Sequence, residues 1–454
     1  MDLFSLLLTN LVSAMGITVV VSILSIVGDI YGVDQSSAMW LMTGFMLTYA
    51  SFMPIFGRLS DRFGRKRIFI VANLVFSAGL ILSAVSRNFY LVVLGRALQG
   101  FGSGGILPVA NAMVVEMMPK KGERGLALVN MTYGLGMIAG VNFGGILYEN
   151  LGVSSIFYIP AILSIVMTLF SAIFLKETLK EKKKFKIDVL GSILFASVMV
   201  FFILAMEYAG AGERIYLLHA AISASLLVLF VIRELGVDEP AVDLKLFKNP
   251  IFTIYNILAM LFGISMFISV TFMAPFVQML FGFNVSESVY AIDPFALVMA
   301  LSIALSGYIS RRFGPYIATS IGAGVLTISL FLFSRYADSI PSFFVLSFLV
   351  GVGLGLSMTP MNQIVMEEGG LKMKGLSAGL VSVMRSVGGV VGPTLAGFVF
   401  SRTDFSSIFA LDNIIQAYRR IYSMAGWAAL SMFILSVSGI VLKRSRKEVL
   451  EYES

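Results

Sequence analysis

Fourteen apolar runs, each long enough to cross a bilayer, occupy most of this chain, and no soluble architecture buries so many. A helix crosses the hydrocarbon core in about 20 residues. Runs of that length fall near 5–28, 37–56, 68–86, 91–118, 126–148, 155–175, 188–208, 215–234, 250–274, 289–309, 316–335, 342–364, 376–400 and 421–443. With 58% hydrophobic and only 13% charged residues, the chain cannot cover a soluble surface with charge. Backbone in hydrocarbon must satisfy its own polar groups. The expected fold class is therefore an all-α polytopic membrane protein with 14 transmembrane helices. The opening residues Met1-Asp2-Leu3-Phe4 lack a basic n-region, so the first run is expected to persist as a span rather than be removed as a leader.

The placement of charge sets the topology. An even number of spans puts both termini on one side. If the basic run 57–67 is cytoplasmic, only six of the 33 Lys and Arg fall in external segments: Arg87, Arg214, Arg335, Arg402, Arg419 and Arg420. Arg96 and Arg385 fall inside spans, and the rest are cytoplasmic, as the positive-inside rule requires. The formal net charge of +7 is thus topology and lipid-headgroup contact, with no nucleic-acid partner. The lysines at 180–186 are expected to sit against anionic headgroups. The external stretch 401–422 spaces Ile408, Leu411, Ile414 and Ile415 as a short interfacial helix would. Zero cysteines and one histidine, His219, leave no basis for a metal site, a cofactor or cysteine catalysis. No nucleophile–base constellation is visible, so an enzyme is not expected.

The chain also matches itself at a shift of 250 to 252 residues. Gly57-Arg-Leu-Ser-Asp-Arg-Phe-Gly64 aligns with Gly307-Tyr-Ile-Ser-Arg-Arg-Phe-Gly314, Gly100-Phe-Gly-Ser-Gly104 with Gly351-Val-Gly-Leu-Gly355, and Gly136 and Gly140 with Gly388 and Gly392. Two related halves that rock against each other give alternating access to a site near the midplane. The run 57–67, Gly-Arg-Leu-Ser-Asp-Arg-Phe-Gly-Arg-Lys-Arg, is read as a tight membrane-face loop, its sharp turn supplied by Gly57 and Gly64. It resembles the loop between the second and third helices of the major facilitator superfamily. The two spans near 188–208 and 215–234 lie outside the repeat. With them the chain resembles the fourteen-helix drug:proton antiporter subfamily. That resemblance implies two pseudo-symmetric six-helix bundles with two inserted helices: residues 1–175, an insert at 176–249, and 250–454. It also implies a plasma-membrane protein, expected to be monomeric, with both termini cytoplasmic.

Functional residues are expected as follows. By the family resemblance, Asp61, Arg62 and Arg65 with Gly57 and Gly64 form a cytoplasmic gate, made asymmetric by Arg311 in the second copy. Leu94-Gly-Arg-Ala-Leu-Gln-Gly100 resembles the family's buried-arginine motif. Arg96 then either acidifies a nearby carboxyl or binds an anion, or it bonds helix carbonyls and glues helices together. Arg385 lies in a span that the resemblance places near the cavity. Gly136-Met-Ile-Ala-Gly-Val-Asn-Phe-Gly-Gly145 resembles the antiporter motif with Val141 in place of proline, and its glycines suit close helix packing. Asp293, followed by Pro294, is either the N-cap of a helix starting there or an intramembrane carboxyl that carries protons. Residues 15–24 contain no acid where related antiporters usually carry one. Met39, Met42, Met46 and Met53 share a helix face that lines a cavity or simply packs. Gln99, Asn142 and Asn256 are candidate polar contacts. Asp29 and Glu207 read as interfacial residues. The function these features imply is proton-coupled export of small hydrophobic or amphipathic compounds, with protons and membrane lipids as partners. Transport of lipids or lipid conjugates is the alternative.

Overall fold

The computed structural model describes all residues except 1, 25, 34, 39, 119–121, 180–187, 211–213, 238–239, 241–243, 370–373, 404–409 and 453–454. The lysine run at 180–186, Met39 and Ile408 therefore lie outside the described residues, as does the Glu207 side chain. Sixteen α-helices and no strand are found among the described residues. They are α1 (Asp2–Thr18), α2 (Val27–Tyr31), α3 (Gln35–Ala38), α4 (Trp40–Phe63), α5 (Arg65–Val85), α6 (Phe89–Met117), α7 (Gly122–Leu151) and α8 (Ser155–Phe174). The others are α9 (Val189–Gly210), α10 (Tyr216–Gly236), α11 (Pro250–Phe281), α12 (Val285–Phe313), α13 (Pro315–Tyr336), α14 (Ile340–Glu368), α15 (Lys374–Ser401) and α16 (Ala410–Tyr452). Eleven helical segments among the described residues are long and apolar enough to cross a membrane. The chain is a multi-pass integral membrane protein. Large apolar side chains such as Ile162, Leu169 and Ile173 of α8 and Val228 and Ile232 of α10 point outward, the inverse of a soluble surface.

Helix boundaries follow local chemistry. The run 18–21 is Thr-Val-Val-Val, and β-branched residues lose χ1 freedom in a helix. Here α1 stops, a single 3-10 turn covers Val21–Ile23, and α2 closes on Gly32 at φ 68°. Asn88 caps α6 by accepting from the Tyr90 and Leu91 N–H groups, and its repeat partner Ser339 forms a capping box for α14.

Three sequence expectations are corrected. The run 57–67 is not a loop: α4 continues through Phe63 and α5 begins at Arg65, with Gly64 alone between them at φ 107°. Gly57 is helical, has no positive φ and faces open space, so it supplies no turn. Long basic side chains reach back to the polar boundary, so charge does not end the helix, and only the residue needing positive φ does. The copy behaves alike, with Gly314 at φ 85° between α12 and α13. The helix bearing Asp293 starts at Val285, so Asp293 is not its N-cap and Pro294 lies inside it. Proline is tolerated within membrane helices because neighbours re-satisfy the freed backbone groups. Finally, Leu411, Ile414 and Ile415 belong to α16, which runs unbroken into the last span rather than forming a separate interfacial helix.

The chain divides into two compact units. One comprises Met1–Asp243, Val270–Tyr290 and Pro393–Asp404, the other Leu244–Ser269, Ala291–Gly392 and Phe405–Ser454. In the first, α6 packs against both α4 and α5, α7 runs along α1, α8 along α5, and α9 pairs with α10 and touches α4. Glycines set the α1–α7 spacing. A Cβ on Gly136, Gly140 or Gly144 would stand 2.3, 2.4 or 2.1 Å from the carbonyl oxygens of Leu11, Met15 and Val19. In the second unit α13 packs against α14 and α16. There Gly388 and Gly392 approach the Met260 and Ile264 carbonyls of α11 in the same way. The repeat in sequence is thus a repeated backbone contact.

Candidate functional site

Arg96 is the most constrained charged group in the chain. It sits on α6 with no exposed surface. Its Nε donates to the Leu41 carbonyl at 2.8 Å, Nη1 to the Gly16 carbonyl at 2.5 Å and to Gln99 Oε1 at 2.7 Å, and Nη2 to the Ile17 carbonyl at 3.2 Å. The guanidinium carbon stands 4.5 Å from the Phe45 ring centroid. The Gly16 and Ile17 carbonyls are available because α1 ends at Thr18: the last carbonyls of a helix lack intrahelical donors and carry its negative dipole end. Gln99, one turn along α6, faces Arg96 with its oxygen. Its Nε2 donates to the Gly79 carbonyl at 3.2 Å and Ser83 Oγ at 2.9 Å. Of the readings open to Arg96, the carbonyl-bonded one matches this geometry; no described carboxylate pairs with it. The arginine joins α6 to the broken end of α1 and the start of α4.

Hydroxyls continue the stitching of α1. Ser13 and Ser103 share a hydrogen at 2.6 Å, Thr18 donates to the Met137 carbonyl at 2.6 Å and Ser22 to the Val141 carbonyl at 2.6 Å. Asn10 Nδ2 reaches the Val129 carbonyl and Thr132 at 2.9 and 3.0 Å. Besides Arg96, the groups described here that tie α1 and the turn after it to their neighbours are neutral, and residues 15–24 contain no acid.

A second cluster occupies the α4–α5 junction. Arg65 Nη2 lies 2.9 Å from Asp61 Oδ1, and its Nε donates to Glu116 Oε2 at 2.7 Å. Thr178 donates to the same Glu116 oxygen at 2.6 Å. Glu177 covers the start of α5, accepting from the Arg65 N–H at 2.9 Å and the Lys66 N–H at 3.3 Å. Asp61, Gly64 and Arg65 are thus brought together, whereas Arg62 points outward over the Phe63 ring at 5.3 Å and Gly57 stands apart. Glu116 and Glu177 were not foreseen. A signal for the first existed: Glu116 and Glu368 match at the repeat shift of 252. In the second unit Glu368 likewise centres a polar cluster, accepting from Tyr316 Oη at 2.8 Å, Asn249 Nδ2 at 3.1 Å and Lys443 Nζ at 3.2 Å.

The remaining candidates are dispersed. Met42 and Met46 are fully buried on α4 within the first unit, where they pack. Asn142 is half-buried on α7, while Asn256 is buried on α11 in the other unit, its Nδ2 donating to the Phe252 carbonyl at 2.8 Å. Arg385 is buried on α15, its backbone oxygen 2.1 Å from where a Cβ on Gly263 would stand. Asp293 is half-buried, eight residues into α12, roughly 12 Å along the axis at 1.5 Å per residue.

Comparison with known proteins places this arrangement. The profile of the Major Facilitator Superfamily matches residues 6–393. Multidrug resistance protein 3 of Bacillus subtilis (strain 168) is 27% identical over 87% of the chain and 78% of its own length. Riboflavin transporter RibZ of Clostridioides difficile (strain 630) is 26% identical over 84% of the chain and 81% of its own. Among solved structures, a bacterial homolog of the human lysosomal transporter Spinster aligns over 97% of both chains, with TM-score 0.69 at 15% identity.

Proposed function

The chain belongs to the Major Facilitator Superfamily, and on that premise we propose that it exports small hydrophobic or amphipathic compounds in exchange for protons. As a member it is a transporter of small molecules and not an enzyme. Several relatives, including two from Bacillus subtilis and one from Mycobacterium tuberculosis, are named as multidrug resistance or multidrug transporter proteins. The observation that carries the proton part is Asp293. It stands inside a 29-residue helix rather than capping one, and an ionisable side chain within a span is a functional candidate by default. Asp293 takes and releases the proton. Arg96 holds α1, α4 and α6 as one body, Arg385 is the charged group on the opposite half, and Asp61, Arg65, Glu116 and Gly64 form the cytoplasmic gate.

The proposal includes fourteen spans, two six-helix bundles at 1–175 and 250–454 with the pair at 176–249 between them, a monomer, and cytoplasmic termini in the cell membrane. A lipid or lipid-conjugate substrate is the second reading. It is favoured by residues 15–24, which hold no acid to receive a cation. Vesicle transport under an imposed pH gradient, with an amphipathic dye and a fluorescent lipid in parallel, tests both. Uphill movement of the dye supports the first reading, and lipid movement alone replaces it with the second.

A further inference from the structure

Glu149 lies in the last turn of α7 and spends both carboxylate oxygens on another helix. The Ser286 N–H donates to Oε1 at 2.7 Å, and the Ser286 hydroxyl donates to Oε2. Ser286 is in the first turn of α12, whose leading N–H groups have no intrahelical acceptor and carry the positive dipole end. The helix meets part of that need itself: Asn284 Oδ1 accepts from the Glu287 N–H at 2.7 Å, and Glu287 Oε2 accepts from the Asn284 N–H at 2.8 Å. The Ser286 N–H is left to Glu149.

Two further contacts fall at the same level. Gly145, one turn earlier on α7, lets that helix approach α12 closely: a Cβ there would stand 2.5 Å from Val289 Cγ2 and 3.3 Å from the Val285 carbonyl. Gln278, near the end of α11, donates through Nε2 to the Ser22 carbonyl at 3.0 Å and Ser288 Oγ at 2.6 Å. All these residues belong to one compact unit. By the sequence repeat, α1 and α7 come from the first half and α11 and α12 from the second. These contacts therefore cross between the repeats. Ser286, Val289 and Asp293 are spaced by three and four residues, which puts them on one face of α12.

We propose that Glu149 is an outer-gate residue: its carboxylate clamps the first turn of α12 to α7 and lets go once in each transport cycle. When it does, α12 moves as a rod and carries Asp293 with it. This rests on the alternating-access reading above but not on proton coupling. Because the chain has no cysteine, a single introduced thiol reports the gate without background. Asn142→Cys, seven residues inside Glu149 on α7, is labelled from outside with a membrane-impermeant maleimide, in the full-length protein, with no substrate and no pH gradient. Adding Glu149→Ala is expected to raise the labelling rate about threefold to tenfold, as losing a charge-assisted hydrogen bond at an exposed site shifts the open population. Glu149→Gln and Ser286→Ala, which each remove one bond with little risk to folding, are expected to raise it less. Unchanged rates in all three variants overturn the proposal. The labelling is read with neither substrate nor a pH gradient present, which keeps a failure of proton coupling distinct from a failure of the clamp.

Discussion

Replacing Arg96 by methionine is the perturbation whose cost the structure defines best. The substitution keeps the side chain's length and apolar stem but deletes four donated hydrogen bonds. It leaves the Gly16, Ile17 and Leu41 carbonyls and Gln99 Oε1 without those donors, in a place with no exposed surface. The Leu41 carbonyl keeps its backbone donor within α4, so three groups are orphaned at about 1–3 kcal/mol each, a gross loss of roughly 3–9 kcal/mol. Against it stands the desolvation penalty of a buried guanidinium, several kcal/mol, which methionine does not incur. The expected net destabilisation is about 2–5 kcal/mol. Arg96→Lys keeps the charge but not the planar fork that reaches three carbonyls on two helices, and an intermediate loss of about 1–3 kcal/mol is expected. Thermal unfolding of the detergent-solubilised protein, followed by Trp40 and Trp427 fluorescence, gives the order wild type, Arg96→Lys, Arg96→Met. A methionine variant as stable as wild type would falsify the reasoning, because the arginine would then not be what joins α1 to α4 and α6.

Other outcomes follow from the same geometry. Gly57→Ala is expected to be neutral or to stabilise by about 0.5–1 kcal/mol, since the residue is helical with open space at its Cβ. Gly64→Ala is expected to cost about 1–3 kcal/mol, from φ 107° and a Cβ 2.6 Å from Glu177 Oε2; thermal melts of the pair decide it. Gly140→Ala should lower stability by about 1–3 kcal/mol or more, because its Cβ meets the Met15 carbonyl at 2.4 Å and backbone cannot step aside. Glu116→Gln and Asp61→Asn lie in a partly exposed ion-pair cluster, so each is expected to change stability by only about 1 kcal/mol or less. Both should still slow substrate flux, and comparing melts with initial transport rates separates the two effects.

What the sequence shows and what it hides divide along a physical line. Local signals were legible: apolar length located the helices, and Gly64 and Gly314 marked the breaks that only glycine makes easily. Arg96 and Gln99, named separately from the sequence, stand one turn apart on α6 and meet at 2.7 Å. Long-range pairing was not legible. Glu116 and Glu177 meet Arg65 from 51 and 112 residues away, and no local pattern announces such partners. Charge and proline misled for a shared reason. Each was read as a place where a helix must stop, charge because hydrocarbon excludes it and proline because it breaks the ladder, yet here basic side chains extend to the polar boundary, and Pro294, like Pro108 and Pro275, sits within a helix. Asp-Pro left open whether Asp293 caps a helix or stands within a span, and the start of α12 at Val285 removes the first of those readings.

Asp293 also supplies the most direct measurement. Wild type and Asp293→Asn, reconstituted in proteoliposomes, are compared for movement of a fluorescent amphipathic cation against its gradient under an imposed pH difference, and for exchange of the same dye at equal pH. The account predicts that wild type does both, whereas the variant exchanges but does not accumulate. Undiminished uphill movement by Asp293→Asn, or movement indifferent to the pH gradient in wild type, would contradict it.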